Sequence, residues 1–311
     1  MLNGIKSKYI LQQILNNLYE GKKLQLVKYN KKLKEKLNIK ENDYRKFTQI
    51  EIEIFLLNEI KEDIDKRQFE FIKFKDEDKP FYHIYFDNGK NEVKRNYLKY
   101  NETIKEIKVI IEMEIKSLNG LFYDCGYVQF IKFTKFERKD ITDFKSLFEN
   151  CLCLSEVDLK TFKTKNATDM SYMFYNCSSL NNVDLSSFTT ENVIKMNNMF
   201  SWCGNLTKID LKNFNTEKVI DMHEMFSCCY LLQEVDISSF NFNNVTNLSY
   251  MFSGCESLIN IETPLNKFNL RNNINIREMF SDCNDELKEK IKQENKNIKE
   301  EAFVLVLQEY F

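Results

Sequence analysis

A phrase of the form Phe-x-x-Cys recurs along most of the chain, and its regular spacing constrains the fold more than any other feature. The cysteines of the seven copies are Cys125, Cys151, Cys177, Cys203, Cys229, Cys255 and Cys283. Five of the six intervals between them are 26 residues long, and the last is 28. Such a period is typical of a solenoid, in which each unit buries its apolar face against the next unit.

Each repeat combines two hydrophobic periods. Val183 and Leu185 alternate around Asp184, which is typical of a short strand with one buried face. From Val193 to Cys203 the apolar residues are spaced i, i+3, i+6, i+7 and i+10, which predicts a helix. We therefore expect an α/β solenoid of strand, turn and helix units, with the strands stacked in one parallel sheet.

Residues at equivalent positions of successive repeats form columns that we expect in the core. The strand column is Ile131, Val157, Val183, Ile209, Val235 and Ile261, and it is followed by Phe133, Leu159, Leu185, Leu211 and Ile237. A turn column is Phe136, Phe162, Phe188, Phe214 and Phe240. Thr164, Thr190 and Thr216 share one position, where each hydroxyl is predicted to accept a backbone N–H at the start of a helix.

Two consecutive repeats carry a family resemblance. The phrases CSSLNNVDLSSFTTENVIKMNNMF and CGNLTKIDLKNFNTEKVIDMHEMF resemble the BspA-type leucine-rich repeats of bacterial surface proteins and many protist proteins. The resemblance covers about residues 104–283. It implies a curved, right-handed α/β solenoid that binds other molecules and has no enzymatic activity.

The segments around the repeats suggest further modules. Residues 1–65 read as a helical N-terminal module of three helices, the third carrying Ile50, Ile54, Leu57 and Ile60 on one stripe. Residues 66–103 predict a β-hairpin or three-stranded meander leading into the solenoid, with Asn88-Gly89 supplying a tight turn at positive φ. Residues 284–311 predict a charged capping helix and an apolar tail.

Charge and hydropathy bear on location. The N-terminal 20 residues lack the continuous apolar segment of a signal peptide, and no apolar run is long enough to span a bilayer. We therefore expect a cytoplasmic protein with its nine cysteines as thiols, and a surface location is less expected. The basic helix near Lys22–Lys36 is the only hint of membrane attachment, and no nucleic-acid partner is expected.

Residues capable of catalysis or metal binding are sparse. The repeat cysteines fall one per coil, so they are interpreted as buried core side chains and not as zinc ligands, which must converge on one point. His83 has no partner motif, and His223 falls at a variable position that suggests an exposed helix residue. No catalytic residue, metal site or cofactor is predicted, and an enzyme is not expected.

A second column provides the candidate binding site. Between the two buried strand positions lies an outward acidic residue in each coil: Asp158, Asp184, Asp210, Asp236 and Glu262. Stacking these like charges should raise their pKa values unless other groups offset the repulsion. Either they accept hydrogen bonds and shape the turn, or they form an acidic face for a basic or hydrogen-bonding peptide. That face would be flanked by Glu156, Lys160, Lys208, Lys212 and Glu234.

The leading functional hypothesis is a non-catalytic protein-interaction scaffold with a protein partner of unknown identity. An alternative is a substrate adaptor, since residues 5–40 loosely resemble an F-box-like helical module placed before a recognition domain. A surface or adhesion role, as in secreted members of the resembling family, is a further alternative.

Overall fold

The computed structural model describes residues 48–57, 68–100, 102–136, 138–263, 274–296 and 298–304, together with Glu35. The first two predicted helices, with the F-box-like segment and the basic stretch near Lys22–Lys36, lie outside the described residues apart from Glu35. The apolar tail beyond residue 304 also lies outside them.

A mixed five-stranded sheet precedes and joins the repeats. Its central strand β1 (Ile50–Leu56) pairs antiparallel with β5 (Glu106–Ile111) on one side and with β6 (Val128–Phe136) on the other. Strand β3 (Tyr82–Phe86) extends the sheet beyond β5, and β7 (Glu156–Asp158) extends it beyond β6 in parallel orientation. The repeats therefore begin at the β6–β7 edge of this sheet.

The prediction of a third helix over Ile50, Ile54, Leu57 and Ile60 is wrong, because Ile50–Leu56 is strand β1. Its sequence IEIEIFL alternates, and the isoleucines are fully buried while Glu51 and Glu53 face outward. The Nζ atom of Lys108 lies 3.1 Å from a Glu51 carboxylate oxygen across the strand pair. Apolar residues spaced four apart fit both the 3.6-residue period of a helix and the two-residue period of a strand. Here the chain adopts the strand.

The strands predicted in residues 66–103 are present but do not form a meander. Strand β2 (Gln68–Glu70) pairs with β4 (Tyr97–Lys99) in a separate antiparallel two-stranded sheet, while β3 pairs with β5. The linking segment Asp76–Phe81 is a 3₁₀ helix. The domain boundaries at residues 65, 103 and 283 stay predictions. The five-stranded sheet contains strands from before residue 65, from between residues 65 and 103, and from after residue 103.

The predicted tight turn is shifted by one residue. Positive φ angles occur at Asp87 (47°) and Asn88 (59°), and the N–H of Gly89 donates to the carbonyl of Phe86 at 2.8 Å. Two central residues at positive φ match a type I′ turn, which suits the twist of antiparallel strands. An isolated bridge between Ile84 and Val93 continues the pairing.

The repeats stack as coils of one continuous core. Strands β8 (Lys208–Ile209), β9 (Glu234–Asp236) and β10 (Asn260–Glu262) form a parallel three-stranded sheet, separate from the sheet that contains β7. The strand column and the phenylalanine turn column are buried throughout, as predicted. The expected single parallel sheet is instead two sheets, because residues 181–185 form no strand.

The predicted helix from Val193 to Cys203 is wrong, although its apolar side chains are buried as expected. The segment is a run of turns with positive φ at Asn198 (57°) and Trp202 (63°), which interrupt an α-helix. Alternate N–H groups donate across to the next coil and not four residues back. These bonds join Met196 to Asp221, Asn198 to His223, Phe200 to Met225 and Trp202 to Ser227, at 2.8–3.1 Å.

The position that the threonines share in successive repeats has a related explanation. The Thr190 hydroxyl accepts from the N–H of Asn215 at 2.8 Å and donates to its carbonyl at 2.9 Å. Thr164 and Thr216 make the same pair of bonds to the following coil. The threonines thus accept a backbone N–H as predicted, but they link coils where a helix cap was expected.

The C-terminal residues cover the last coil. Helix α1 (Asp285–Glu294), where a charged helix was predicted, buries Leu287 and Ile291 and is capped by Asn284, whose side chain accepts the Glu286 N–H at 2.8 Å. Beyond it the Phe303 ring stacks on Phe280 with centroids 5.6 Å apart. Among the described residues no helix has the length and apolar character needed to cross a membrane.

Candidate partner-binding face

The outward side chains beside the buried strand column form one continuous surface, which we call the strand face. The ten predicted residues all lie on it: Glu156, Asp158, Lys160, Asp184, Lys208, Asp210, Lys212, Glu234, Asp236 and Glu262. Each is exposed or half-buried, in contrast to the buried residues between them. The structure therefore places the predicted set together, and its binding role stays a prediction.

The aspartates of the strand face shape the turn that follows each strand position. One carboxylate oxygen accepts the backbone N–H two residues later, at 3.1 Å for Asp158, 3.0 Å for Asp184, 3.0 Å for Asp210 and 2.9 Å for Asp236. These bonds match the alternative in which the acidic residues accept hydrogen bonds and shape the turn, and they recur in four coils.

The pKa values of two members of the column are lowered, as the hydrogen-bonded alternative requires. The hydroxyl and then the backbone N–H of Ser186 hold the pKa of Asp184 below its ordinary value, and Lys160 acts in the same direction. The pKa of Asp236 is lowered by the equivalent bonds from Ser238, with a contribution from Lys212. Hydrogen bonds and the neighbouring lysines therefore outweigh partial desolvation, and these carboxylates remain ionised at neutral pH.

A groove opens in the strand face beside β7. Its volume is about 390 Å³, and four of the ten predicted residues line it: Glu156, Asp158, Lys160 and Asp184. Ser155, Asn181 and Asn182 complete its polar lining and were not predicted. Their only sequence signal is a polar position next to the strand pattern, which many exposed residues share. The remaining predicted residues, on coils from Lys208 onward, lie outside the groove.

The cysteines confirm their interpretation as core residues and add a hydrogen-bond ladder. Each buried thiol from Cys151 to Cys283 donates to a phenylalanine carbonyl of the preceding coil at 3.0–3.1 Å, as Cys203 does to Phe174. Burial raises the pKa of Cys203 to about 12, so its reactive thiolate is scarcely populated. Only Cys153 and Cys228 are half-buried.

Both histidines have partners that the sequence did not indicate. His83 lies between two carboxylates, with Nδ1 2.9 Å from Glu92 and Nε2 3.1 Å from Glu112. His223 is half-buried in a turn, where Nδ1 lies 2.8 Å from Asp221, so its placement on an exposed helix is wrong. Within the described ranges no three His, Cys, Asp or Glu side chains converge as metal ligands would.

Comparisons with known proteins relate the repeats to a family. Residues 116–227 and 198–302 match the family model described as "Mycoplasma protein of unknown function, DUF285", and together they span more than half of the chain. A leucine-rich repeat protein of T. pallidum, known from a crystal structure, matches with 18% sequence identity and a TM-score of 0.36. That match covers 61% of this chain and 79% of the other. No curated protein matches the sequence.

Proposed function

The chain belongs to the DUF285 family, and from that premise we propose that it is a non-catalytic scaffold that binds a protein partner through the strand face of its repeats. The proposal includes the finer assignment to BspA-type leucine-rich repeats and a right-handed coil. The observation that carries it is the strand face itself. Charged side chains from successive coils, from Glu156 to Glu262, project from one rigidly stacked surface.

Rigidity supports a binding role because a preorganised surface loses little conformational entropy when a partner docks. Each coil is fixed to the next by backbone bonds, threonine bridges and stacked rings, such as Phe174 on Phe200 at 5.4 Å. Most of the side chains that are chemically reactive in other proteins are here engaged in this framework. The column thiols from Cys151 to Cys283 are buried donors, and His83 and His223 are held by carboxylates.

Site-specific photo-crosslinking tests the proposal on the full chain. A photoreactive amino acid is placed at Asn182 or Glu234 on the strand face, and at Glu191 or Glu217 as exposed controls outside that face. After illumination in extract from the source cells, we expect the same protein adduct from both strand-face positions. The control positions should give none of that adduct.

Two results contradict the proposal. Adducts formed equally from the control positions indicate nonspecific contact, and an adduct formed only from the controls moves the interface off the strand face. Circular dichroism and the unfolding midpoint of each labelled chain serve as the check that the substitution leaves the fold intact.

A further inference from the structure

The parallel pairing of the coils is broken at one place inside the strand face. Strand β7 ends one sheet and β8 begins the next, and residues 181–185 lie between them without strand pairing. Among the described residues, no backbone hydrogen bond joins Asn181–Asp184 to either neighbouring coil. At the equivalent positions farther along, β8, β9 and β10 are paired.

The break is confined to the outer edge of the coil. Val183 and Leu185 remain in the core, and the Ser187 hydroxyl donates to the Leu159 carbonyl at 2.8 Å. The Phe162 and Phe188 rings stay stacked with centroids 5.7 Å apart. The coils are therefore held together beneath the groove, while backbone donors and acceptors at its walls are open to an outside partner.

The charges of the groove select one kind of occupant. Three carboxylates, from Glu156, Asp158 and Asp184, line it with one cation, Lys160. Asp158 and Asp184 each accept a turn N–H, and Asp184 also accepts the Ser186 hydroxyl, but a carboxylate has about four acceptor sites and so can still accept from a ligand. A volume of about 390 Å³ lies near the lower end of ligand pockets, so it suits one long side chain and adjacent backbone.

We propose that the groove between β7 and Asn181–Asp184 binds an extended peptide segment of the protein partner through a Lys or Arg side chain. The ammonium or guanidinium group lies between Asp158 and Asp184, and the peptide backbone bonds to the open strand edges beside it. This inference rests on the proposed function and names the chemistry of the partner segment.

The test begins with the full chain and a displayed library of random linear heptapeptides. We expect the selected peptides to share a Lys or Arg, and one synthetic representative is then measured by fluorescence anisotropy. Replacing its basic residue with norleucine should weaken binding about tenfold or more, and raising the salt concentration should weaken the original peptide.

A pair of matched double variants locates the binding site. Asp158→Asn with Asp184→Asn should weaken the peptide about tenfold or more, whereas Asp143→Asn with Asp169→Asn, a stacked pair with the same turn bonds outside the strand face, should leave it unchanged. Asparagine preserves the turn, because Asn247 already accepts the N–H of Ser249 at 3.2 Å in this chain. Unfolding midpoints check that both variants fold equally well.

Three outcomes overturn the inference: a library that yields no binder, selected peptides without a basic residue, or binding that is indifferent to the groove variant. The crosslinking result separates these failures from failure of the proposed function. A strand-face adduct that forms equally well in the Asp158→Asn, Asp184→Asn chain leaves the scaffold function standing and removes the groove as its determinant.

Discussion

At the scale of single residues, His223 shows how a turn couples charge to folding. Its Nδ1 lies 2.8 Å from Asp221, and its Nε2 lies 3.2 Å from the side-chain amide nitrogen of Asn198 on the preceding coil. The hydrogen bond that the ring of His223 donates to the Asp221 carboxylate raises the pKa of His223 above its ordinary value despite partial burial. Folding therefore favours the protonated ring relative to the unfolded chain.

We predict that this contact makes stability fall as the pH rises above neutral. A histidine with a raised folded-state pKa contributes stability fully below its unfolded pKa of about 6.5, and that contribution disappears as pH rises through the folded value. His223→Gln should flatten the dependence in this window by less than about 1 kcal/mol, because the pair is partly exposed. Urea unfolding between pH 6 and 8.5 measures it.

His83→Gln is the matched control, since His83 is the second histidine of the chain. If the pH dependence in this window is unchanged in His223→Gln but lost in His83→Gln, the assignment to the Asp221 contact is wrong.

At the scale of elements, β1 is the strand that joins the N-terminal part of the structure to the repeats. It is hydrogen-bonded on both sides, to β5 and to β6, and Ile52 is opposite Val109 on one side and Phe133 on the other. Phe133 also packs against Phe162 of the next coil, with ring centroids 4.7 Å apart. A change in β1 is therefore transmitted into the core of the first repeats.

We predict that Ile52→Ala lowers the free energy of unfolding by about 2–5 kcal/mol, because the side chain is fully buried and leaves a cavity. Glu53→Ala, its neighbour on the outer face, should cost below about 1 kcal/mol, because it removes only a partly exposed ion pair with Lys132. Denaturant unfolding of the two variants makes the comparison. Equal, small effects would contradict the central position of β1.

The elements also show what could be read from the sequence and what could not. The 26-residue period and the buried columns were predictable, because burial requires only that apolar side chains recur at equivalent positions. The backbone path of Met196, Met199 and Phe200 was not, since a turn ladder buries the same side chains as a helix while its N–H groups bond to the next coil. Side-chain spacing carries no information about that choice of acceptor.

Of the candidate site, the outward residues were predictable from the sequence and the groove was not. The outward position of Asp184 follows from alternation with Val183 and Leu185. The groove does not, because NVDLS at residues 182–186 closely resembles EVDLK at residues 156–160, yet only the second contains a strand. Strand pairing depends on the relative position of neighbouring coils. That position is set by the packing of the core beneath the strands.

At the scale of the whole molecule, the buried thiols report on how the stack opens. Seven cysteines lie on one column with exposures of 6% or less, whereas Cys153 and Cys228 are half-buried. Burial raises the pKa of each column thiol, including Cys283 to about 12, so both access and thiolate formation are suppressed in the folded chain.

We predict that iodoacetamide modifies only Cys153 and Cys228 under native conditions at pH 8. Addition of denaturant should expose the column thiols together, because neighbouring coils share their hydrogen bonds and ring stacking. Peptide mass spectrometry after timed labelling measures the modified sites. The double variant Cys153→Ser, Cys228→Ser is the control and should remain unlabelled until it unfolds; early labelling of Cys203 contradicts the ladder.

The C-terminal residues give the stack an end that cannot be extended by polymerisation. The N–H groups of Glu278 and Phe280 donate to the carbonyls of Glu301 and Ala302 at 2.7 Å, where another coil would otherwise pair. Phe303 occupies the place of the next ring above Phe280. A second molecule could add coil upon coil only by displacing residues 300–303, so the same contacts that complete the core also prevent fibre growth from this end.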